Sequence, residues 1–352
     1  MSVQPHIDGV ATSTTGLVGR ATQGPVAQAE LVTSLVEYET VFGGPQAGHD
    51  LFTAVKLFFD NGGRRAWAVR LGGQGPAAIR RALSALDGVD DLGLLCLPGL
   101  SDAGALSAGA RYARSRRAFF VAEPAGSRSA TLGAVGAIAD ADRGHVAVYL
   151  PRLVIRDLLR PSTTMRFGSS AAVAGLLART DLERGVSSFP TGVHIQGAVG
   201  LGSTIDEHGA ALLRRSGVNA LRALPGRGMV VWGARTVGSG REREEDWKYI
   251  PVRRLALYLE ASIDRGLAWA AFEPNDEPTW RTIRRMVETF LDLTFRMSGF
   301  AGETPAEAYF VRCGTDTTTQ RDIERGIVVI EVGFAPLRPA EFVTFRLRHT
   351  WD

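Results

Sequence analysis

Between Tyr249 and Pro278 the chain reads YIPVRRLALYLEASIDRGLAWAAFEPNDEP. Apolar side chains recur at Val252, Leu255, Ala256, Leu259, Ile263 and Leu267. That spacing gathers them on one face of an amphipathic helix. Pro251 suits the first turn, where a missing N–H costs no bond, and Gly266 suits the exit. The opposite face carries Arg253, Arg254, Glu260, Asp264 and Arg265, a pattern met either by a solvated charged face or by one shown to a partner. Leu267–Phe272 then reads as a short buried strand stopped by Pro274.

Earlier in the chain, residues 10–20 are small and β-prone, with a turn at Gly24-Pro25. Ser34-x-x-Glu37 is a capping-box pattern opening a helix that ends at Gly43-Gly44. Asp50 is expected to cap a second helix stopping at Asn61-Gly62-Gly63, and 66–71 reads as a strand. Beyond the flexible connection at residues 72–76, helix-like and strand-like segments alternate: 77–86, 92–97, 105–115, 118–122, 131–140, 145–150. Such alternation with short joints predicts an α/β layer around a largely parallel sheet. Ligands of such sheets bind at the carboxyl ends of strands. Those ends here, Pro98-Gly99, Glu123-Pro124 and Pro151-Arg152, are a poor set for chemistry.

A helix is expected over 169–182, a loop-rich stretch over 185–209, and short strands over 218–224 and 229–232. A long helix is expected over 280–297, with Ile283, Val287, Phe290, Thr294 and Met297 on its apolar face. Tyr309–Cys313 reads as a strand. Residues 327–334 (IVVIEVGF) are almost continuously apolar, the mark of a strand covered on both faces. In the last strand, 341–348, Val343, Phe345 and Leu347 face one way and Thr344, Arg346 and Arg348 the other.

A chain of 352 residues is long enough for about two domains. Its composition, 45% hydrophobic and 22% charged, is that of an ordinary soluble globular protein. Net charge is +3, and all 40 basic residues but Lys56 and Lys248 are arginine, a residue suited to bidentate pairing with carboxylates. The 37 acidic residues are interspersed among them, and no basic run carries interleaved aromatics, which argues against a nucleic-acid partner. Cys96 and Cys313 lack the spacing of a zinc site and read as buried free thiols. The N-terminus does not read as a secretory signal, and no apolar run is long enough to span a membrane, so synthesis in a reducing compartment is expected, with no signal peptide of its own.

Chemistry-bearing motifs are weak. Gly197–Thr204 (GAVGLGST) matches phosphate-loop spacing except that Ser203 stands where the lysine is needed, so a plain glycine-rich loop is expected. Glu273, Asp276 and Glu277 fit caps of the following helix better than an acid–base pair. The histidines show no HxH or HxxxH grouping, and no GxSxG occurs. No catalytic, cofactor or metal residue is assigned, and an enzyme is not expected.

Three segments carry a resemblance: PGRGMVVWGART (225–236), DWKYIPVRRLALYLEASIDRGLAWAAFEPNDEPTW (246–280), and the stretch from FVRCG through TTTQRDIERGIVVIEVGFAPLRPAEFVTFRL (310–347). They resemble the C-terminal part of contractile tail sheath proteins, the sheath subunits of contractile phage tails, pyocins and extracellular contractile injection systems. GVATSTTGLVGRATQGPV (9–26), Phe42-Gly43-Gly44 and FFDNGGRRAWAVRL (58–71) agree with it.

The resemblance implies an α/β fold in which both chain ends (1–71 and 225–352) build an α+β inner domain and 72–224 an inserted α/β outer domain. It implies a structural subunit without cofactor. Such subunits stack as hexameric rings around an inner tube protein, bounded by baseplate and terminator or cap proteins, in particles that can be released from the cell. Terminal strands of neighbours link the rings while the sheath contracts and drives the tube forward. The strand candidates are Phe342, Val343, Thr344, Phe345, Arg346 and Leu347, with Ile327, Val328, Val329 and Ile330. The tube-contact candidates are Arg253, Arg254 and Arg265. Only Met1–Gln4 precede the matched region, where such proteins begin with a further extended segment, which leaves the donation of an N-terminal strand open. A baseplate-adjacent or terminator component of the same machine, and more distantly an α/β enzyme, are the alternatives.

Overall fold

The computed structural model describes residues 6–238, 246–337 and 342–350. The expectation about residues 1–4, and Glu341 of the last strand, lie outside them. The chain forms two compact units, Ala11–Arg253 and Met1–Val10 with Arg254–Asp352.

The larger unit is built on an eight-stranded sheet. Its strands are β1 (Thr15–Gly19), β2 (Ala29–Val32), β3 (Ala66–Arg70), β4 (Leu94–Cys96), β5 (Phe119–Ala122), β6 (Val146–Leu150), β10 (Val218–Leu224) and β11 (Gly228–Val231), in the order β11-β10-β6-β5-β4-β1-β3-β2. The six inner strands run parallel, and β2 and β11 close the edges antiparallel. Helices α1 (Leu35–Phe42), α2 (Asp50–Asp60), α3 (Pro76–Ser84), α4 (Ala103–Ser115), α5 (Arg128–Gly136), α6 (Asp140–Arg143), α7 (Ser170–Arg184) and α8 (Glu207–Arg215) accompany it. Leu17, Leu94, Phe119 and Phe120 in its strands are fully buried, as near-continuous apolar strands of a covered parallel sheet should be. A small antiparallel sheet, β8 (Thr164–Phe167), β7 (Leu153–Arg156), β9 (Ala198–Leu201), lies beyond β6 in sequence.

The second unit contains α9 (Ile250–Gly266) from Arg254 onward, α10 (Glu277–Arg296), α11 (Pro305–Ala308) and α12 (Gln320–Glu324). Its antiparallel sheet comprises β12 (Tyr309–Arg312), β13 (Ile327–Phe334) and β14 (Val343–Thr350). Residues up to Val10 join it because the Val10 N–H donates to Ser262 Oγ at 3.1 Å, and because Gly9 lies so close to Tyr258 that a Cβ there would strike the ring.

The division therefore falls at 10/11 and 253/254, where the sequence reading has 71/72 and 224/225. The cause is strand pairing over long separations: β1 sits between β3 and β4, so residues 15–70 and 94–224 share one sheet and one core. Residues 55–59 on α2 belong to that larger unit too.

Local expectations met several corrections. His49, not Asp50, is the N-cap of α2, with Asp50 in the first turn. At α1 the Ser34 hydroxyl accepts from the Glu37 N–H, but the Glu37 carboxylate turns to the Thr33 N–H instead of closing a box. Residues 268–272 form a 3₁₀ helix whose Phe272 is 90% exposed, not a buried strand. The stretch read as loops, 185–209, contains β9 and the start of α8. Asp276, by contrast, caps α10 as expected, accepting from the Thr279 N–H. Cys96 and Cys313 are both buried and free.

Candidate functional site

In the three-stranded sheet β13 is the middle strand, paired with β12 over residues 331–334 and with β14 along its whole length. Where β12 ends, other groups take over its far edge. The Thr318 hydroxyl accepts from the Val329 N–H (3.0 Å), the Thr317 hydroxyl donates to the Val329 carbonyl (2.7 Å), and the Asn275 amide donates to the Ile327 carbonyl (3.2 Å). Ile327, Val328, Val329 and Ile330 are thus tied inside their own sheet. As candidates for a strand added to another chain they are corrected: a central strand has no edge to give.

The same bonds fix the direction of every peptide in β14. Ile327 and Val329 point away from β14, so the alternate residues, Val328, Ile330, Val332 and Phe334, face it. Their partners His349, Leu347, Phe345 and Val343 point inward. Thr344, Arg346 and Arg348 consequently direct their N–H and C=O groups outward, to an edge that carries no strand among the described residues.

Perpendicular to this, Val343, Phe345 and Leu347 bury their side chains and Thr344, Arg346 and Arg348 expose theirs. Buried Glu331 on β13 binds arginines on both neighbours, Arg312 Nη1 at 3.3 Å and Arg346 Nε at 2.6 Å, because these three residues share one register. Arg348 pairs with Asp322. Phe342, half exposed, lies against Phe310 with the rings tilted and their centroids 5.9 Å apart, and Phe310 itself covers Gly333. The edge is regular, its register unbroken over eight residue pairs, with arginines on its exposed face.

Residues 242–350 match the model of the phage tail sheath C-terminal domain. No curated protein matches the sequence. Among solved structures, the contracted helical sheath of the anti-feeding prophage shares 28% identity at a TM-score of 0.78, covering 100% of this chain and 97% of its own. The contracted sheath of the PVC extracellular contractile injection system shares 25% identity at 0.79, covering 100% and 95%. A chain of the six-fold symmetrised anti-feeding prophage baseplate shares 28% at 0.76, covering 99% and 96%.

In sequence over residues 242–350 and in fold over its whole length, the chain matches contractile tail sheath proteins.

Of the tube-contact candidates, only Arg265 is exposed. Arg253 and Arg254 are 8% and 3% exposed, and α9 is covered on nearly every side from Val252 to Leu259. Arg253 lies over the Trp247 ring, 4.4 Å from its centroid, and donates to His145 Nε2 at 2.8 Å. The expectation that both arginines meet the tube is therefore corrected. They are internal cations, and the polar face they mark on a helical projection is not exposed.

The carboxyl ends of β5 and β6 are richer than the sequence suggested. Glu123 is 1% exposed; the Ser170 hydroxyl donates to its carboxylate, and Arg152 Nη2 stands 3.8 Å away. Gly168 is needed there, since a Cβ at that position would collide with the carboxylate. Burial pushes the Glu123 pKa up to about 7 against the pull of Ser170 and Arg152, with Asp50 adding to the rise. Beside it opens a cleft of about 530 Å³ lined by Arg128, Arg152 and Arg166. Among so many arginines no spacing singles these three out. The Gly197–Thr204 motif is not a phosphate loop: Ala198–Leu201 is strand β9. Among the described residues no group of His, Cys, Asp and Glu could hold a metal ion, and no helix is long and apolar enough to cross a membrane.

Proposed function

We propose that this sheath protein stacks as hexameric rings around an inner tube, joined ring to ring by strands added at the outer edge of β14. The observation that carries the reading is that edge: the outward N–H and C=O groups of Thr344, Arg346 and Arg348 form a ready template for an extended segment of another copy. The whole-length likeness to contracted sheaths supports the stacking and the contraction that drives the tube, and the likeness to a baseplate chain supports association there.

The subunit carries no catalysis. Its work comes from rearrangement between two packings of many copies. It meets the tube protein along its length and a terminator or cap protein at its end, is made in the bacterial cytoplasm, and acts in a particle that functions outside the cell. Arg265 is the remaining tube-facing candidate, and such an exposed contact is worth at most about 1 kcal/mol, so the grip arises from repetition.

Negative-stain microscopy of the purified protein tests this reading. Ring stacks or tubes are expected, and a synthetic peptide of residues 342–350 should shorten them. A protein that stays monomeric at high concentration, with and without tube protein, overturns it.

A further inference from the structure

The cleft at the carboxyl ends of β5 and β6 is lined by residues of the larger unit alone, and its chemistry is specific. Three arginines line it, Arg128 at the start of α5, Arg152 just before β7 and Arg166 on β8. Among the described residues neither Arg128 nor Arg166 has a carboxylate within ion-pair distance. Arg152 reaches only Glu123, at 3.8 Å, and its buried Nε has no hydrogen-bond partner there. Glu123 Oε1 is likewise buried and without a hydrogen-bond partner. Asp206, the acidic residue of the cleft wall, is engaged as the N-cap of α8.

Three arginines lining one concavity, two of them without a carboxylate partner among the described residues and the third with a buried Nε that makes no hydrogen bond, offer donors that planar bidentate binding of an oxyanion would satisfy. The hydroxyls of Ser203 and Thr204 add further donors, while Leu150, Pro151 and Ile205 supply an apolar wall. A volume of about 530 Å³ lies in the range of small-molecule sites and is far more than a lone phosphate fills. The position, outside the carboxyl ends of parallel strands, is where α/β sheets hold their ligands.

We propose that this cleft binds a phosphorylated small molecule, with the phosphate held by Arg128, Arg152 and Arg166 and the remainder of the molecule against the Leu150–Ile205 wall. The inference is independent of the strand-exchange reading.

Isothermal titration of the full chain at physiological salt with inorganic phosphate, pyrophosphate and ATP tests it. Saturable binding of at least one is expected, weakened tenfold or more in an Arg128→Ala/Arg166→Ala variant. That variant should keep the wild-type melting temperature, since both side chains are exposed. An Arg80→Ala/Arg81→Ala variant, which removes two exposed arginines of α3, should bind as wild type. ATP and pyrophosphate binding alike would identify the phosphate chain as the recognised part. Tighter ATP binding would identify the apolar wall as a base or sugar site.

No saturable binding, or equal losses in both double variants, overturns the proposal. A wild-type chain that binds no phosphate compound, with a cleft variant that fails to polymerise, would assign the arginines instead to an acidic segment of a second copy.

Discussion

Arg253 donates to Nε2 of His145 at 2.8 Å while Nδ1 of the same ring lies 3.2 Å from the Ala118 carbonyl. An arginine can only donate, so Nε2 carries no proton and Nδ1–H is the donor to Ala118. His145 is thereby fixed as a neutral imidazole between a permanent cation and a carbonyl. Burial chiefly, then the charges of Arg253 and Arg114, hold its pKa down at about 3. The folded protein refuses a proton that the unfolded chain accepts near pH 6.5. This group therefore adds stability that is present above about pH 6.5 and lost as pH falls toward 3.

Replacing His145 by Gln should expose that term. The stability difference between wild type and His145→Gln, from urea midpoints, should shift by about 2 kcal/mol against the wild type between about pH 7 and about pH 5. A difference that does not move with pH would mean the ring is protonated in the fold and the Arg253 contact absent.

Glu123 contributes with the opposite sign. Its pKa near 7 in the fold exceeds the ordinary 4.5, so its contribution is complete below about pH 4.5 and lost as pH rises through 7. The groups facing it are Arg152, Asp50, the Cys96 thiol and the Ser170 hydroxyl. Glu123→Gln keeps the shape and removes the charge. Relative to wild type it should gain about 2 kcal/mol between about pH 5 and about pH 8, read from thermal or urea melts. Over pH 5–7 the two terms nearly cancel, so their joint contribution to the wild type is close to flat there, and each single variant unmasks the slope of the other residue.

The Arg312–Glu331–Arg346 ladder supports a third expectation. Glu331 is buried and its two arginines are largely exposed. Removing one arginine leaves the other to hold the carboxylate, at a cost of roughly 1 kcal/mol or less. Removing both strands a buried charge, at about 2–4 kcal/mol. A double-mutant cycle by chemical denaturation should therefore give a double-variant loss larger than the sum of the singles. Simple additivity would show that the carboxylate is solvated.

How much of this was legible in the sequence depended on the range of the interaction. Strands β3 to β6 and helices α3, α4 and α10 declare themselves through local periodicity and punctuation, and β14 through strict alternation. The unit boundary did not, because it is set by β1 pairing with β3 and β4, whose partner residues lie 51 (66 − 15) and 79 (94 − 15) positions away, which no local pattern encodes. Arg253 and Arg254 look like a solvent face on a helical projection. A projection reports which residues share a side, not what covers that side, and a buried cation held by a ring and an imidazole is invisible to it. β7, β8 and β9 were missed because four-residue strands with one or two buried positions each carry too little alternation.

The edge of β14 gives the sharpest test of assembly. Truncating the last strand is a poor probe, because Val343, Phe345 and Leu347 are buried and their loss would uncover the inner face of β13 and unfold the unit. Proline offers a cleaner one, since it deletes a single N–H, and the direction of each N–H in β14 is known. At Thr344 the N–H points outward, away from β13, so Thr344→Pro should leave a cooperatively folded protein with a melting temperature within a few degrees of wild type. The same variant should fail to form tubes in negative stain, because an added strand loses its donor there. At Phe345 the N–H points inward to Val332. Phe345→Pro should therefore unfold or strongly destabilise the protein by losing both a ladder bond and a buried ring. If Thr344→Pro polymerises as well as wild type, the outer edge of β14 is not where copies join. If it unfolds as readily as Phe345→Pro, the outward direction assigned to that peptide is wrong.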